Sequence, residues 1–329
     1  GSKGDIRPMS ISGPSSPKLT IGLPVYNGER FLPSALASFL GQTFDDFELI
    51  VCDNASTDGT QRICLEHAAR DARVRYHRNG RNLGAIGNFN RTVALSRAPF
   101  FKWAAHDDLH APAYLEKCMQ ILDQNPDVVL AHADSAFIDE AGEMFAWDPD
   151  SGSYVDPLTG ARQRPDSPLI GSSPAATERF WQVLTGSRWG THMFGIIRRP
   201  ILDQTNLLGN FVSSDRALLA ELALLGRFQA CSERLFMKRF HREVSWALNQ
   251  RELRSFLCTA DQAYSRRARQ LQAFFTAPSK KPIGTVDRVI CTGMVAFHCL
   301  NIFGQVLTMK DARNAAKARV WRQKDRIAT

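Results

Sequence analysis

Residues 19–32 read Leu-Thr-Ile-Gly-Leu-Pro-Val-Tyr-Asn-Gly-Glu-Arg-Phe-Leu, an apolar run that ends in a polar turn. The β-branched residues of the run favour a buried strand over residues 19–25, and Asn27-Gly28 is typical of a tight turn. From Phe31 to Leu40 the apolar side chains recur at helical intervals, so a helix follows the turn. The stretch therefore predicts the first strand–loop–helix unit of an α/β fold.

The alternation of strand and helix continues through residue 133. Further strands are predicted at Phe47–Cys52, Val74–His77, Phe100–Ala105 and Val128–Ala133, and helices to about Arg70, at Ala85–Ser96 and at Ala113–Gln124. Short links between such elements predict a mostly parallel, doubly wound sheet. A sheet of this kind binds its ligands beyond the carboxyl ends of its strands.

Polar residues follow three of the predicted strands at that edge. Pro24-Val25-Tyr26-Asn27 ends the first strand, Asp53 the second, and Asp107-Asp108 the fourth. Adjacent side chains on an extended segment point to opposite faces, so one Asp of the pair can hold a divalent cation while the other reaches a neighbouring group. A turn or a helix cap is the structural alternative for all three acids.

Composition narrows the class of protein. No G-x-G-x-x-G follows the first strand and no phosphate-binding G-x-x-x-x-G-K-[ST] occurs, which excludes a dinucleotide-binding Rossmann domain and a P-loop enzyme.

Of the net charge of +8, residues from Arg251 onward carry +10 and the first 250 carry −2. This distribution disfavours a nucleic-acid partner and indicates a basic C-terminal segment that meets an anionic surface. The seven cysteines lack zinc or disulfide spacing, so a cytoplasmic protein is expected.

Three segments resemble the family 2 glycosyltransferases: LPVYNGERFL at residues 23–32, ELIVCDNASTDGT at residues 48–60 and RNGRNLG at residues 78–84. His106-Asp107-Asp108 takes the place of the D-x-D-like motif of that family. The resemblance covers about residues 19–140 and implies a GT-A fold. It also implies inverting, metal-dependent transfer of a sugar from a nucleotide diphosphate sugar, with a UDP-sugar expected, to a hydroxyl of a glycan or glycolipid.

The resemblance also implies roles for individual residues. Tyr26 would pack on the base, Asp53 would accept a hydrogen bond from the base imide, and Glu29 would lie near the ribose. Asp107 would face the ribose or the diphosphate, and Pro24 and Arg81 complete the donor site. Asp108 would hold Mn²⁺ or Mg²⁺, with His241 of the late R-x-H element as the second ligand; a surface histidine is the alternative reading of His241. Oxygen donors suit either cation, which then bridges to substrate phosphates.

In the second half the motifs are sparser. The segment from Val212 to Leu219 opens a helix whose apolar spacing runs to Leu225 and which Gly226 ends. The resemblance makes Asp215 of this segment the general base, although Ser213-Ser214 stand where an acidic neighbour is usual. A stabilising acid at the helix N-terminus is the alternative for Asp215. Trp189 and His192 are predicted to line the acceptor side, with a core role as the alternative for Trp189. Asp139–Ala175 is expected to be a long loop that closes over the donor.

The domain boundaries follow from these patterns. Residues 1–17 are expected to be a tag remnant and flexible lead, and 18–245 the catalytic domain, with a nucleotide-binding half at 18–140 and an acceptor half at 141–245. Residues 246–329 form a basic helical extension, with helices predicted at Arg251–Phe275 and Val286–Met309. The extension packs on the catalytic domain, forms a homodimer interface or lies on the inner face of an anionic membrane.

Two other kinds of protein have the same type of sheet. A sugar-nucleotide nucleotidyltransferase needs a glycine-rich, arginine-bearing loop after the first strand, and residues 24–29 read Pro-Val-Tyr-Asn-Gly-Glu instead. A catalytically silent carbohydrate-binding or scaffold protein would keep the fold without the base, and the missing acid before Asp215 is its main support.

Overall fold

The computed structural model describes residues 16–211, 213–241 and 266–300. The elements of residues 19–138 are β1 Leu19–Val25, α1 Leu32–Leu40, β2 Phe47–Asp53, α2 Thr60–Arg70, β3 Val74–Arg78, α3 Gly84–Leu95, β4 Phe100–Trp103, β5 Leu109–His110, α4 Tyr114–Gln124 and β6 Val128–Ile138. They are followed by β7 Ala146–Asp148, β8 Ser153–Val155, β9 Arg162–Gln163, α5 Ala176–Gly186, a 3₁₀ turn at Thr191–Phe194, β10 Ile196–Arg198, α6 Arg199–Leu202, α7 Ser214–Leu225, β11 Arg227–Arg239, α8 Arg266–Lys280 and the helical residues 285–300, named α9.

Within the described residues the main sheet has eight strands in the order β3-β2-β1-β4-β10-β6-β11-β5. Strands β1 to β4 pair in parallel, and β6 pairs in parallel with β11. Strand β10 runs antiparallel between β4 and β6, and β5 runs antiparallel to β11. The predicted mostly parallel α/β sheet with a helical C-terminal region is confirmed.

Strand β1 forms the centre of this arrangement. All seven of its residues are buried, because helices cover both faces of the sheet. Gly22 lets α3 approach closely, since a Cβ at that position would lie 2.5 Å from Thr92 Oγ1 and 2.8 Å from the Phe101 ring. A side chain at position 22 would therefore push α3 away from β1.

The segment between β6 and α5 differs from the prediction. The expectation of a loop over Asp139–Ala175 is wrong for residues 146–163, where β7, β8 and β9 form a small antiparallel sheet. Tyr154 of β8 is buried and packs on Phe137 of β6 with ring centroids 5.0 Å apart. This small sheet is thus anchored to the main one by an apolar contact.

The described part of the C-terminal extension packs on the catalytic domain. Phe274, Ala277, Cys291 and Val295 enter the same apolar core as α5 and α7. A buried ion pair joins Lys281 Nζ to Glu221 Oε2 of α7 over 2.6 Å. Packing on the catalytic domain is therefore what the described residues show. The remainder of the predicted helices, at 251–265 and 301–309, lies outside the described residues.

No helix in the described ranges is both long enough and apolar enough to cross a bilayer. The domain boundaries at residues 17, 140 and 245 stay a prediction.

Candidate functional site

The carboxyl ends of β1, β2 and β3 are tied together by buried asparagines. Asn79 Nδ2 donates to Asn54 Oδ1 over 3.0 Å and to Asn88 Oδ1 over 2.9 Å. Asn88 Nδ2 in turn donates to the Cys52 carbonyl over 2.7 Å. These hydrogen bonds join the three strand ends, although the buried Asn79 Oδ1 accepts no hydrogen bond among the described residues.

Asp53 lies inside this edge and not on its surface. Its carboxylate has no exposed area and accepts hydrogen bonds from the Ser56 amide at 2.8 Å, the Tyr76 hydroxyl at 2.6 Å and Arg78 Nη1 at 2.8 Å. The helix-capping alternative is wrong for Asp53, because α2 begins at Thr60 with Gly59 as its N-cap and the Ser56 amide lies in the turn before that helix. Arg78 is the group of this pair that reaches solvent, with 35% of its side chain exposed.

Other predicted donor residues surround the same edge. Tyr26 is 46% exposed, so it does not fill the core, and Asn27 beside it adopts the left-handed conformation with φ of 51°. Glu29 accepts a hydrogen bond from the Gly59 amide over 2.9 Å, which links the turn after β1 to the start of α2. Pro24 is buried in β1, and Arg81 lines an open cavity of about 320 Å³ beyond β3.

The Asp107-Asp108 pair is split by burial. Asp108 is 2% exposed and accepts a hydrogen bond from the Arg239 amide over 2.9 Å. The Asp107 side chain is 19% exposed, and His241 Nε2 donates to its Oδ2 over 2.8 Å. The structure therefore brings His241 to Asp107 and uses Asp108 to hold the end of β11.

Electrostatics separates the two acids further. Burial raises the pKa of Asp108 to about 6, assisted by the neighbouring Asp107 charge and opposed by Lys238. Burial also acts to raise the pKa of Asp107, but the hydrogen bond from His241 and the charge of His106 outweigh it and hold this pKa well below the usual range. Asp107 is consequently the more acidic of the two carboxyls.

Arg239 is a structural residue in this arrangement. It is 3% exposed, and its guanidinium donates to the carbonyls of Asp107 at 2.7 Å, Asp139 at 3.0 Å and Glu140 at 3.0 Å. Its Cζ lies 5.0 Å from the centre of the Phe31 ring. These contacts join the turn after β1, the acid pair and the end of β11.

Asp215 stands in the first turn of α7 and is partly exposed. Burial raises the pKa of its carboxyl, and the Arg216 amide and the charges of Arg216 and Lys238 oppose the rise. Ser213, just before the helix, has φ of 63°, a left-handed conformation that non-glycine residues rarely adopt. A partly desolvated carboxyl with a raised pKa is the kind of group that accepts a proton in catalysis.

A chain of contacts joins Asp215 to the acid pair. The Asp215 carboxylate packs against Gly190, and the adjacent Trp189 packs on Phe240 with ring centroids 5.4 Å apart. Phe240 lies between Arg239 and His241, which contact Asp108 and Asp107. Asp215 is thus connected to the acid pair through Gly190, Trp189 and Phe240.

The two predicted acceptor-side residues differ in exposure. Trp189 is partly exposed and its Nε1 donates to the Arg164 carbonyl over 2.7 Å. His192 is 2% exposed, and its Nε2 lies 3.1 Å from the Ser167 carbonyl. The structure places Trp189 where a ligand can reach it and His192 beneath the surface.

Two residues of the site carried no predicted role. Lys238 of β11 is close enough to lower the pKa of Asp107, Asp108 and Asp215 alike, although its place in the sequence shows only a strand ending in basic residues. Asp166 lies in the stretch read as a loop, where a single acid gives no signal. It is 7% exposed and accepts hydrogen bonds from Arg188, Trp189 and Thr191.

No cluster of three or more His, Cys, Asp or Glu side chains suited to a metal ion occurs among the residues that the structure describes. Asp107 offers a carboxylate oxygen on a side chain that is 19% exposed, and Nε2 of His241, whose side chain is 4% exposed, lies 2.8 Å from it. This nitrogen would face a cation in the tautomer that carries its hydrogen on Nδ1. Mg²⁺ and Mn²⁺ are commonly held by one or two protein ligands together with waters and substrate phosphates. The residues present fit a cation of that kind.

A family model described as glycosyl transferase family 2 matches residues 20–179, just under half of the chain. Residues 20–179 are a family 2 glycosyltransferase domain. The match contains the segments at residues 23–32, 48–60 and 78–84 and the Asp107-Asp108 pair, and it confirms the family that the sequence resembles.

Named relatives carry the same domain over part of their length. The chain is 33% identical over 117 residues to an uncharacterized glycosyltransferase of Rickettsia typhi, RT0329, covering 35% of this chain and 36% of that protein. It is 27% identical over 170 residues to the chondroitin synthase of Escherichia coli, covering 52% of this chain and 24% of that protein. The chain thus spans less than half the length of these curated relatives.

Solved structures share the fold of the family 2 domain. TarS residues 1–349 from S. aureus, in complex with UDP-GlcNAc, superposes with a TM-score of 0.57 at 15% identity, covering 86% of this chain and 71% of TarS 1–349. The mannosyltransferase PcManGT from Pyrobaculum calidifontis, in complex with GDP-Man and Mn²⁺, gives a TM-score of 0.51 at 13% identity, with 90% and 80% covered. At this identity the likeness establishes the GT-A fold.

Proposed function

We propose that the chain transfers a sugar, with inversion, from a nucleotide diphosphate sugar to an acceptor hydroxyl. The observation that carries the proposal is the contact of Asp107 with His241, at the point where Gly28 of the turn after Tyr26 lies against His106. Asp215 is linked to this point through Gly190, Trp189 and Phe240. Each of these groups has a distinct chemical task in such a transfer. The solved relatives bound to UDP-GlcNAc and to GDP-Man with Mn²⁺ support donors of this class.

Asp107 and His241 are the proposed metal ligands, which reverses the roles expected for Asp107 and Asp108. Asp108 is buried and already occupied by the Arg239 amide, whereas Asp107 is accessible, more acidic and paired with His241. A bound Mn²⁺ or Mg²⁺ would neutralise the charge that develops on the departing nucleoside diphosphate. The role of Asp108 is then to hold β11 so that His241 faces Asp107.

The nucleotide lies along the edge formed by β1, β2 and β3. The exposed Tyr26 ring offers a flat apolar face to the base. Asp53 has no exposed surface, so it acts on the base through its partner Arg78, which reaches solvent. Glu29 and Arg81 remain at the rim of this site, near the ribose side and beyond β3.

Asp215 is the proposed general base. The acceptor hydroxyl must lose its proton as it attacks the anomeric carbon from the face opposite the diphosphate. A carboxylate with a raised pKa accepts that proton more readily than an ordinary Asp, and Trp189 beside it offers a surface on which a sugar ring can lie. The acceptor proposed is a glycan or a glycolipid.

The exposed face of α9 supports a cytoplasmic protein that sits on the inner surface of a membrane. Val286, Val289, Phe297 and Leu300 are 72%, 68%, 55% and 70% exposed and recur at helical spacing. The residues from Arg251 onward carry a net charge of +10. An apolar stripe in a basic segment suits anionic lipid headgroups, which would place a glycolipid acceptor near the site.

A turnover assay tests the proposal. The full chain is incubated with a panel of UDP- and GDP-sugars, with and without Mn²⁺, and release of the nucleoside diphosphate is followed in the presence of candidate acceptors. We expect metal-dependent release with at least one donor, and Asp215→Asn should bind that donor normally while losing transfer. Absence of metal-dependent turnover and of binding for every donor would favour the scaffold alternative. Formation of a nucleotide sugar from a sugar phosphate would favour the nucleotidyltransferase.

A further inference from the structure

A buried carboxylate holds the loop that leads from α5 to the 3₁₀ turn. The amides of Arg188 and Trp189 donate to Asp166 Oδ1 over 2.7 and 3.0 Å, and the Thr191 amide donates to Oδ2 over 3.1 Å. The Thr191 hydroxyl also donates to Oδ2, over 3.2 Å. Hydrogen bonds to an ionised carboxylate are about twice as strong as neutral ones, so Asp166 fixes the path of residues 188–191.

Gly190, in the middle of this loop, meets two demands at once. Its φ of 65° lies in the left-handed region, and its neighbours on both sides are bound to Asp166. A Cβ at position 190 would lie 3.1 Å from Asp215 Cγ and closer still to Asp215 Oδ2. Only glycine has the backbone freedom and the missing side chain that this place requires.

We propose that Gly190 and Asp166 are positioning residues for Asp215: the loop that Asp166 holds seats the Asp215 carboxylate against Gly190. The seat fixes the direction from which the carboxylate meets the acceptor hydroxyl. Neither positioning residue exchanges a proton or forms a bond in the reaction. The proposal rests on the proposed function, because it takes Asp215 as the group that receives the acceptor proton.

Gly160 provides a matched control for Gly190. Its φ is 68°, so alanine at either position imposes a similar backbone strain. An added Cβ at Gly160 meets no atom within 4 Å, whereas at Gly190 it meets the Asp215 carboxylate. A difference between Gly190→Ala and Gly160→Ala therefore reports the contact with Asp215 and not the strained backbone.

The test measures kcat and the donor KM of the full chain with Mn²⁺ for both glycine variants. Gly190→Ala is expected to lower kcat at least about tenfold relative to Gly160→Ala, because a small misplacement of a catalytic group is costly, while the donor KM stays unchanged. Equal kcat values would overturn the proposal. An equal loss of donor affinity would also overturn it, since the loop would then support the whole site.

Asp166→Asn supplies a second measurement should Gly190→Ala fail to fold. Asparagine keeps the size of the side chain but turns an NH₂ group toward amides that need an acceptor. We expect a lower kcat with an unchanged donor KM, and a wild-type kcat would overturn the positioning role. Loss of transfer in Asp215→Asn together with wild-type kcat in both other variants would refute this inference alone. Retained transfer in Asp215→Asn would remove both this inference and the base.

Discussion

At the scale of single residues, the site depends on how burial divides similar side chains. Asp107 and Asp108 are neighbours in sequence, yet one is more acidic and accessible while the other is buried and bound to the Arg239 amide. Asp215 is likewise partly desolvated, which suits proton uptake. The three residues carry the same carboxyl group, but their surroundings suit them to different roles: Asp107 is the proposed metal ligand, Asp108 holds β11 in place and Asp215 is the proposed base.

The pKa of Asp215 leads to a prediction about pH. A general base works only when deprotonated, and burial raises this pKa, so kcat should fall as the pH drops through a midpoint above the ordinary carboxyl range. Lys238→Met removes a charge that favours the ionised form and should move the midpoint to higher pH. The check is kcat against pH at saturating donor and Mn²⁺. A midpoint that does not move in Lys238→Met would contradict the electrostatic account.

Most of the polar residues at the carboxyl ends of the strands could be placed from local sequence, because strand periodicity and turn residues are local properties. Asp53, Tyr26 and the Asp107-Asp108 pair were all expected at the carboxyl ends of strands, where the structure has them. Which Asp is buried could not be predicted, since it depends on an amide 131 residues away. The same holds for Asp166, whose donors lie 22 to 25 residues further along the chain.

At the scale of elements, the antiparallel strands and the small sheet were missed for physical reasons. Strand β10 has only three residues and β5 only two, too few to show a period in the sequence. Strands β7 to β9 lie among turn residues, and their order depends on packing, as the contact of Tyr154 with Phe137 shows. Helix α7 was predicted to end at Gly226 because its apolar spacing is long and its stop is a glycine, and it does.

The exposed stripe of α9 gives a prediction at the same scale. The full chain should bind vesicles that contain phosphatidylglycerol, and Val289→Glu with Phe297→Glu should weaken binding by placing charge on the stripe. Leu158→Glu is the control, because Leu158 is 88% exposed and lies in the turn before β9. Sedimentation at low and high salt measures the effect. Equal binding by the stripe variant and the control would contradict the membrane proposal.

At the scale of the whole molecule, the proposed site combines residues from the first part of the chain with residues from the later elements. Residues before 140 supply Tyr26 and Asp107 of the proposed site, and the later elements supply Asp215, Trp189 and His241. Helices α8 and α9 pack on α7, the helix that begins with Asp215, through the buried Lys281–Glu221 pair and a shared core. The described C-terminal helices therefore buttress the element that carries the proposed base.

The pairing of Asp107 with His241 is the central claim, and binding of UDP or GDP measured by calorimetry with and without Mn²⁺ tests it most directly. His241→Ala should weaken the Mn²⁺-dependent binding at least about tenfold, as expected when a metal site loses a ligand or its support. His67→Ala, which changes a partly buried histidine on α2, should bind like the wild type. Wild-type, Mn²⁺-dependent affinity in His241→Ala would contradict the account.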